Sequence, residues 1–367
     1  MCHEYPGGSQ VNIRASQCAR ASIVLAVRDG EATLTRALES VLGQAFDRVQ
    51  LVAVVMPSRD RSLAICEREA ERNIRLDVIE TDTRDVFAAF DEGIAAARGD
   101  YVLLMRQDDW LAPRALELML SAIDEDGSDL VLPTRAFESF GPRGERLSRT
   151  RRVPEVSARS AEAFHAAAAP LIECGALDDV TGRLLNRSRI AELGLRLAFK
   201  KDETDFMASY LEGAGRITAL PGALYHAGWA RIAGALADQD IFARCELDRR
   251  VLQDMAARWG MADDDELASA IEWVHLHRVI ACIHEVCERK SISSIERTAR
   301  VRDMVEAAST REAVRSVVAH PETKRDFGIM LAPIERRNVL ACCLSARFSH
   351  LVGMAPALPP RNDTAVA

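Results

Sequence analysis

Between residues 22 and 133 the chain repeats one pattern: a short apolar run, a polar turn, then apolar residues returning every three or four positions. Residues 22–27, 51–55, 76–79, 101–105 and 129–133 are short runs rich in Val, Ile and Leu, the signature of strands buried on both faces. The stretches between them, 31–43, 62–72, 86–98 and 113–124, have helical periodicity. In the first of these, Leu34, Leu38, Val41 and Leu42 share one face. Gly99 is expected to cap the third helix, and Pro113 to occupy the first turn of the fourth. Strands alternating with helices over this length predict a mostly parallel sheet flanked by helices. Ligands of such sheets sit beyond the carboxyl ends of the strands, so the residues following Val27, Val55 and Met105 are the first place to look for chemistry.

Beyond residue 133 the pattern loosens. Gly141-Pro-Arg-Gly144 is a turn signal between two extended stretches. Helices are expected at 157–168, at 182–197 with its end at Gly194, and at 204–214, and a strand at 217–225. From about residue 236 the periodicity is helical throughout: 240–259, 264–290, 293–308, 311–320 and 333–352, with Ser293 and Glu296 spaced as a capping box. The chain is thus expected to be an α/β protein followed by a C-terminal all-α region.

Composition narrows the setting. A net charge of -8 over 367 residues argues against a protein that coats nucleic acid. Nine scattered cysteines without metal-type spacing, a polar start and the absence of a ~20-residue apolar run point to a cytoplasmic protein.

Several segments, in order, resemble the family-two glycosyltransferases, which have the GT-A fold. The segments are Ser22 to Leu34, Ala37 to Gln44, Asp85 to Ile94 and Gly99 to Pro113, followed by Lys201-Asp-Glu-Thr-Asp-Phe206 and Leu224-Tyr-His226. The likeness covers residues 21–235. It implies a nucleotide-sugar-binding half at 21–135 and an acceptor-binding half at 136–235, with a tail at 1–20, helices at 236–352 and a second tail at 353–367. Its implied activity is inverting transfer of a sugar from a nucleotide donor to a saccharide or lipid-linked acceptor in bacterial polysaccharide or glycoconjugate assembly.

The family's Asp-x-Asp motif, which places carboxylates near a divalent metal on the donor diphosphate, falls on Arg106-Gln107-Asp108. Asp108 stands where the metal-contacting carboxylate would be, with Asp109 beside it, so Mg²⁺ or Mn²⁺ is implied at Asp108. Arg106 has two readings: a metal-independent ligand for the diphosphate, or an ion-pair partner for Asp108 or Asp109. The acidic pair that reads the base is replaced by Val55 and Met56, neither of which accepts a hydrogen bond from a base through its side chain. Arg28, Asp29 and Asp60 are the remaining polar candidates for donor binding. Glu203, preceded by Asp202, aligns with the family's catalytic base. Gly93 is expected to shape a loop below the donor.

Three further features have plainer explanations. The arginines at 143, 146, 149, 151 and 152 suit either a solvated hairpin or an anionic surface. His275, His277, Cys282, His284 and Cys287 lie on one helix, where packing is the ordinary reading and zinc needs ligands from a second element. The last helix, with Arg336-Arg337 followed by Leu340, Leu344 and Phe348, is amphipathic and suits a bundle, another copy of the chain, or peripheral contact at the inner face of the cell membrane. The rival to an enzyme is a non-catalytic scaffold that kept the fold after losing its donor site.

Overall fold

The computed structural model describes residues 19–140, 146–228, 241–320 and 322–351. In chain order the elements are β1 (Ala21–Val27), α1 (Leu34–Leu42), β2 (Val49–Val55), α2 (Ser62–Ala70), β3 (Leu76–Glu80), α3 (Val86–Ala96), β4 (Tyr101–Arg106), β5 (Trp110–Leu111) and α4 (Ala115–Asp126). There follow β6 (Leu130–Phe140), β7 (Arg146–Arg151), β8 (Val156–Ala158), α5 (Ala161–Ala166), α6 (Ala168–Glu173), β9 (Leu184–Asn186), α7 (Arg187–Glu192), α8 (Glu203–Tyr210) and β10 (Ile217–Gly228). The helices that close the described chain are α9 (Ile241–Arg258), α10 (Asp265–Glu288), α11 (Ser294–Glu306), α12 (Ala308–Ala319), α13 (Leu331–Glu335) and α14 (Val339–Leu351). The described residues divide into two compact units, one holding those within 19–120 and 181–198, the other those within 121–180 and 199–351.

In the first unit β3, β2, β1 and β4 run parallel in that order, and β9 joins β4 antiparallel. The register sets Val27 beside Val55 and Ala26 beside Arg106, so the strands end together on one edge. Every residue of β1 and β2 is buried, as expected of strands covered on both faces. The helix α3 packs on β1 and β2 through Gly93. A Cβ there would lie 2.1 Å from Val24 Cγ1, so this glycine permits close helix–sheet contact rather than shaping a loop.

At the opposite edge Ser22 Oγ donates to Gln50 Oε1 (2.6 Å) and accepts from the Gly99 amide (2.9 Å). Gly99 is not the helix cap that its position suggested. The helix α3 stops at Ala96 with Ala97 extended, and a Cβ on Gly99 would come within 2.6 Å of the Ala21 carbonyl carbon. Pro113 likewise precedes its helix, which begins at Ala115 after Arg114 takes a left-handed φ of 62°. The helix expected within 182–197 and ending at Gly194 is α7, closed by Gly194 at a φ of +58°, while the residues before it form the unexpected strand β9.

In the second unit β6 pairs with β10 in parallel and with β7 antiparallel, and β8 pairs antiparallel with β10. The segment expected as helix over 157–168 is split, with β8 preceding α5 and α6. The turn at 141–145, with Arg143, lies outside the described residues.

The helix α10 forms the centre of the C-terminal bundle, packing against α6, α9, α12 and α14. Its histidines are core groups: His277 stacks on Phe327 (centroids 4.2 Å apart) and lies 4.0 Å from the Trp273 ring. Burial pushes the pKa of both His275 and His277 down to about 3. Ser293 caps α11, its hydroxyl accepting from the Glu296 amide at 3.1 Å. The expected helix at 333–352 is interrupted between α13 and α14, where Arg337 turns the chain with a φ of 54°. Among the described residues no helix is long and apolar enough to cross a membrane.

Candidate functional site

The carboxyl edge of the first unit gathers the loops after β1, β2 and β4. These loops are tied to one another by side chains bonding to backbone. Asp29, exposed and at a left-handed φ of 49°, accepts from the Arg59 amide (2.8 Å) and donates its own N–H to Ser58 Oγ (3.1 Å). Asparagine and aspartate tolerate that conformation better than other non-glycine residues. Asp60 joins the same loops: Oδ2 accepts from the Glu31 amide (2.8 Å), while Oδ1 accepts from the Ser62 amide (3.0 Å) and hydroxyl (2.6 Å). Burial opposes ionisation of Asp60, but these hydrogen bonds outweigh it and hold the carboxyl below its ordinary range. The Ser62 hydroxyl in turn accepts from the Gly30 amide (2.9 Å).

The β4 loop is anchored to the β1 loop by Gln107, whose Nε2 donates to the Arg28 carbonyl at 3.0 Å. Gly30 is required for this approach, since a Cβ would lie 2.5 Å from Gln107 Cγ. Asp109 is 1% exposed and turned inward, accepting from the Arg106 amide at 3.3 Å. The Asp108 carbonyl accepts from Arg36 (3.1 Å), and the Arg36 guanidinium lies 3.8 Å over the Trp110 ring. Val55 and Met56 are buried in the sheet edge, where the Met56 amide donates to the Val27 carbonyl at 2.9 Å.

Of the sequence-selected donor residues, Arg28, Asp29, Asp60, Arg106, Asp108 and Asp109 therefore share one edge. Asp29, Asp60 and Asp109 place carboxylate oxygens on backbone N–H groups of the loops. Arg28 is exposed, and Arg106 and Asp108 are part-exposed at the strand end. Asp109 is directed inward, and Asp108 lies two residues beyond Arg106 in the chain. Among the described residues no three His, Cys, Asp or Glu side chains converge as a protein-built metal cage needs.

Asp91, in the apolar face of α3, went unnoticed in the sequence. Its oxygens accept from the Leu197 amide (2.8 Å) and the Ala198 amide (3.1 Å), fixing the segment that leads toward Glu203. An acidic residue between Phe90 and Ile94 was the available signal, because a buried carboxylate needs partners.

The second unit holds Asp202 and Glu203, which are 2% and 8% exposed. Asp202 is the N-cap of α8: Oδ1 accepts from the Asp205 amide at 2.8 Å, and Oδ2 lies 3.9 Å from Arg244. Glu203 is the first residue of that helix, in the field of its N-terminus. Behind the cap lies a buried charge cluster. Arg278 of α10 pairs with Asp178 and with Asp248, each at 2.7 Å, and the Thr204 hydroxyl donates to the Asp178 carbonyl (3.4 Å). Burial, together with Asp202 and Asp178, pushes Asp248 up to about 7 against the pull of Arg278. An arginine inside the apolar run from Trp273 to Ile280 marked this cluster in the sequence.

Two arginines of the basic stretch, Arg146 and Arg151, are engaged within their own unit. Arg146 makes two hydrogen bonds to buried Glu138 (2.7 and 2.6 Å), and His226 Nδ1 lies 2.7 Å from the same carboxylate. Burial raises the Glu138 carboxyl, but Arg146, His226 and Ser148 outweigh it and hold it at about 2. Arg151 lies over the Phe137 ring and 3.7 Å from Asp178.

A mostly parallel sheet flanked by helices, its first, second and fourth strands ending in such cross-braced loops, is the frame of a GT-A-type fold. The model of glycosyl transferase family 2 matches residues 22–182. Among individual relatives, EpsH of Bacillus subtilis is 32% identical over 117 residues, covering 32% of this chain and 34% of its own length. The succinoglycan biosynthesis protein ExoO of Rhizobium meliloti is 28% identical over 126 residues, covering 34% of this chain and 36% of its own. The chain thus matches about a third of the length of each of these two relatives. Residues 1–349 of S. aureus TarS share the fold with a TM-score of 0.59 at 15% identity, over 91% of this chain and 92% of that one. The same protein has been solved in complex with UDP-GlcNAc, with a TM-score of 0.58 and 16% identity to this chain.

Proposed function

We propose that this protein is an inverting glycosyltransferase that moves a sugar from a nucleoside-diphosphate donor to a saccharide or lipid-linked acceptor in polysaccharide or glycoconjugate assembly. The observation that carries the reading is the braced carboxyl edge of the first unit, which presents Arg106 and Asp108 at the end of β4. Arg106 supplies the positive charge that the departing diphosphate requires, and its planar guanidinium is suited to two phosphate oxygens. A divalent cation facing Asp108 is the alternative source of that charge. Glu203 takes the proton from the acceptor hydroxyl as its oxygen bonds to the anomeric carbon. The bond from that carbon to the diphosphate oxygen breaks, and the electron pair leaves with the nucleoside diphosphate. Asp202, which caps α8, holds Glu203 in place. The setting fits the cytoplasm or the inner face of the cell membrane.

A non-catalytic scaffold is the second reading, favoured by buried Val55 and Met56 in place of base-reading acids. Comparing Glu203→Gln with the unaltered protein separates the two, UDP-sugars being tested first because S. aureus TarS has been solved with UDP-GlcNAc. Glu203→Gln is expected to bind nucleotide normally while transfer falls at least a hundredfold, the lower range for removing a general base. Equal transfer by both proteins would sink the role of Glu203. Absence of nucleotide binding by either would favour the scaffold.

A further inference from the structure

The last described helix has its residue sizes arranged the wrong way round for a bundle helix. Its inward face is made of small side chains, Cys342, Ala346 and Ser349, all buried. Its large apolar residues point outward: Leu340, Leu344 and Phe348 are 69%, 68% and 56% exposed. Spaced four apart, they form a continuous stripe along the helix. A helix packed only onto its own protein would bury these three first.

The charge on the helix itself has one sign, with Glu335 the exposed acid that precedes Arg336 and Arg337. Residues 339–351 contain no Asp or Glu, in a chain whose net charge is -8. Arg347 is exposed and, three residues beyond Leu344, falls on the same face. Arg336 and Arg337 stand exposed in the link that precedes the helix. A symmetric pairing of two copies along this stripe would bring like arginines together with no carboxylate on the helix to receive them. An anionic lipid surface complements both features, taking the apolar side chains below the headgroups and leaving the arginines at the phosphates.

We infer that α14 is a membrane-surface helix that docks the protein on anionic bilayers through Leu340, Leu344 and Phe348, assisted by Arg336, Arg337 and Arg347. The inference does not depend on catalysis, so it stands or falls separately from the proposed activity. The test is sedimentation of the full chain with vesicles of phosphatidylcholine containing phosphatidylglycerol, against vesicles of phosphatidylcholine alone. The protein is expected to sediment with the anionic vesicles and to be released by added salt. Leu344→Glu/Phe348→Glu and, separately, Arg336→Glu/Arg337→Glu are each expected to weaken partitioning at least tenfold, with melting temperatures unchanged because all four side chains are exposed. Failure to sediment with anionic vesicles, or partitioning of both variants equal to that of the unaltered protein, would overturn the inference. So would a dimer in solution that Leu344→Glu/Phe348→Glu converts to monomer without altering partitioning, which would assign the stripe to a second copy.

Discussion

Replacing Arg278 by Met removes the cation that holds two buried carboxylates behind the α8 cap. The side chain is 8% exposed and lies 2.7 Å from both Asp178 and Asp248. Removing one partner of a buried ion pair costs about 3–5 kcal/mol, because the other charge stays buried without compensation. Two features place this case at the lower end. Asp248, already raised to about 7, can take up a proton when the arginine is lost. Asp178 keeps Arg151 at 3.7 Å. The expected loss is therefore about 3 kcal/mol, which in urea lowers the unfolding midpoint by roughly 1 M for a slope of about 3 kcal/mol/M. The pH dependence has a definite sign. A carboxyl whose folded pKa is raised contributes stability that is full below its unfolded value near 3.8 and is lost as pH rises through about 7. Without Arg278 the Asp248 pKa rises further, so the defect must grow between pH 6 and pH 8. Adding Asp178→Asn is expected to restore more than half of the lost stability. A midpoint shift under about 0.3 M, or a defect independent of pH and unrelieved by Asp178→Asn, would refute the reasoning.

Glu138, held at about 2 against an ordinary 4.5, contributes stability that is present above pH 4.5 and lost as pH falls toward 2. At 1.36 kcal/mol per pKa unit the contribution is about 3 kcal/mol, so the stability gap between unaltered protein and Glu138→Gln, measured by urea unfolding, is expected to narrow steeply between pH 5 and pH 3. Gly93→Ala places a methyl 2.1 Å from Val24 Cγ1 and is expected to cost about 1–3 kcal/mol, read as a lower unfolding midpoint. An unchanged midpoint would mean that α3 can move away from β1.

The parallel sheet and its carboxyl edge were legible because each strand is a continuous apolar run and each crossing helix shows its period. This pattern pointed to the residues after Val27, Val55 and Met105, and the family resemblance then selected Arg28, Asp60, Arg106 and Asp108. What the sequence hid depends on partners far away along the chain. Nothing local tells that Asp91 receives the amides of Leu197 and Ala198, or that Arg278 is met by Asp178 and Asp248. Gly99 looked like a helix cap because a glycine follows the helical pattern, yet the Ala21 backbone is what requires it. The strand β9 has only three residues, too few for a period of two to declare itself. The break before α14 carries no Gly or Pro. Arg337 adopts the left-handed turn instead, so the stretch scans as one helix.

The central claim is that the carboxyl edge of the first unit binds a nucleoside diphosphate through Arg106. It is tested most directly by the melting temperature of the unaltered protein and of Arg106→Ala with UDP or UDP-GlcNAc, in Mn²⁺ and in EDTA. At a ligand concentration about a hundred times Kd, binding adds about 2.7 kcal/mol, a rise of several degrees. A rise that persists in EDTA and vanishes in Arg106→Ala is the expected result. No rise with either ligand, or one that needs Mn²⁺ and survives the loss of Arg106, would contradict the account.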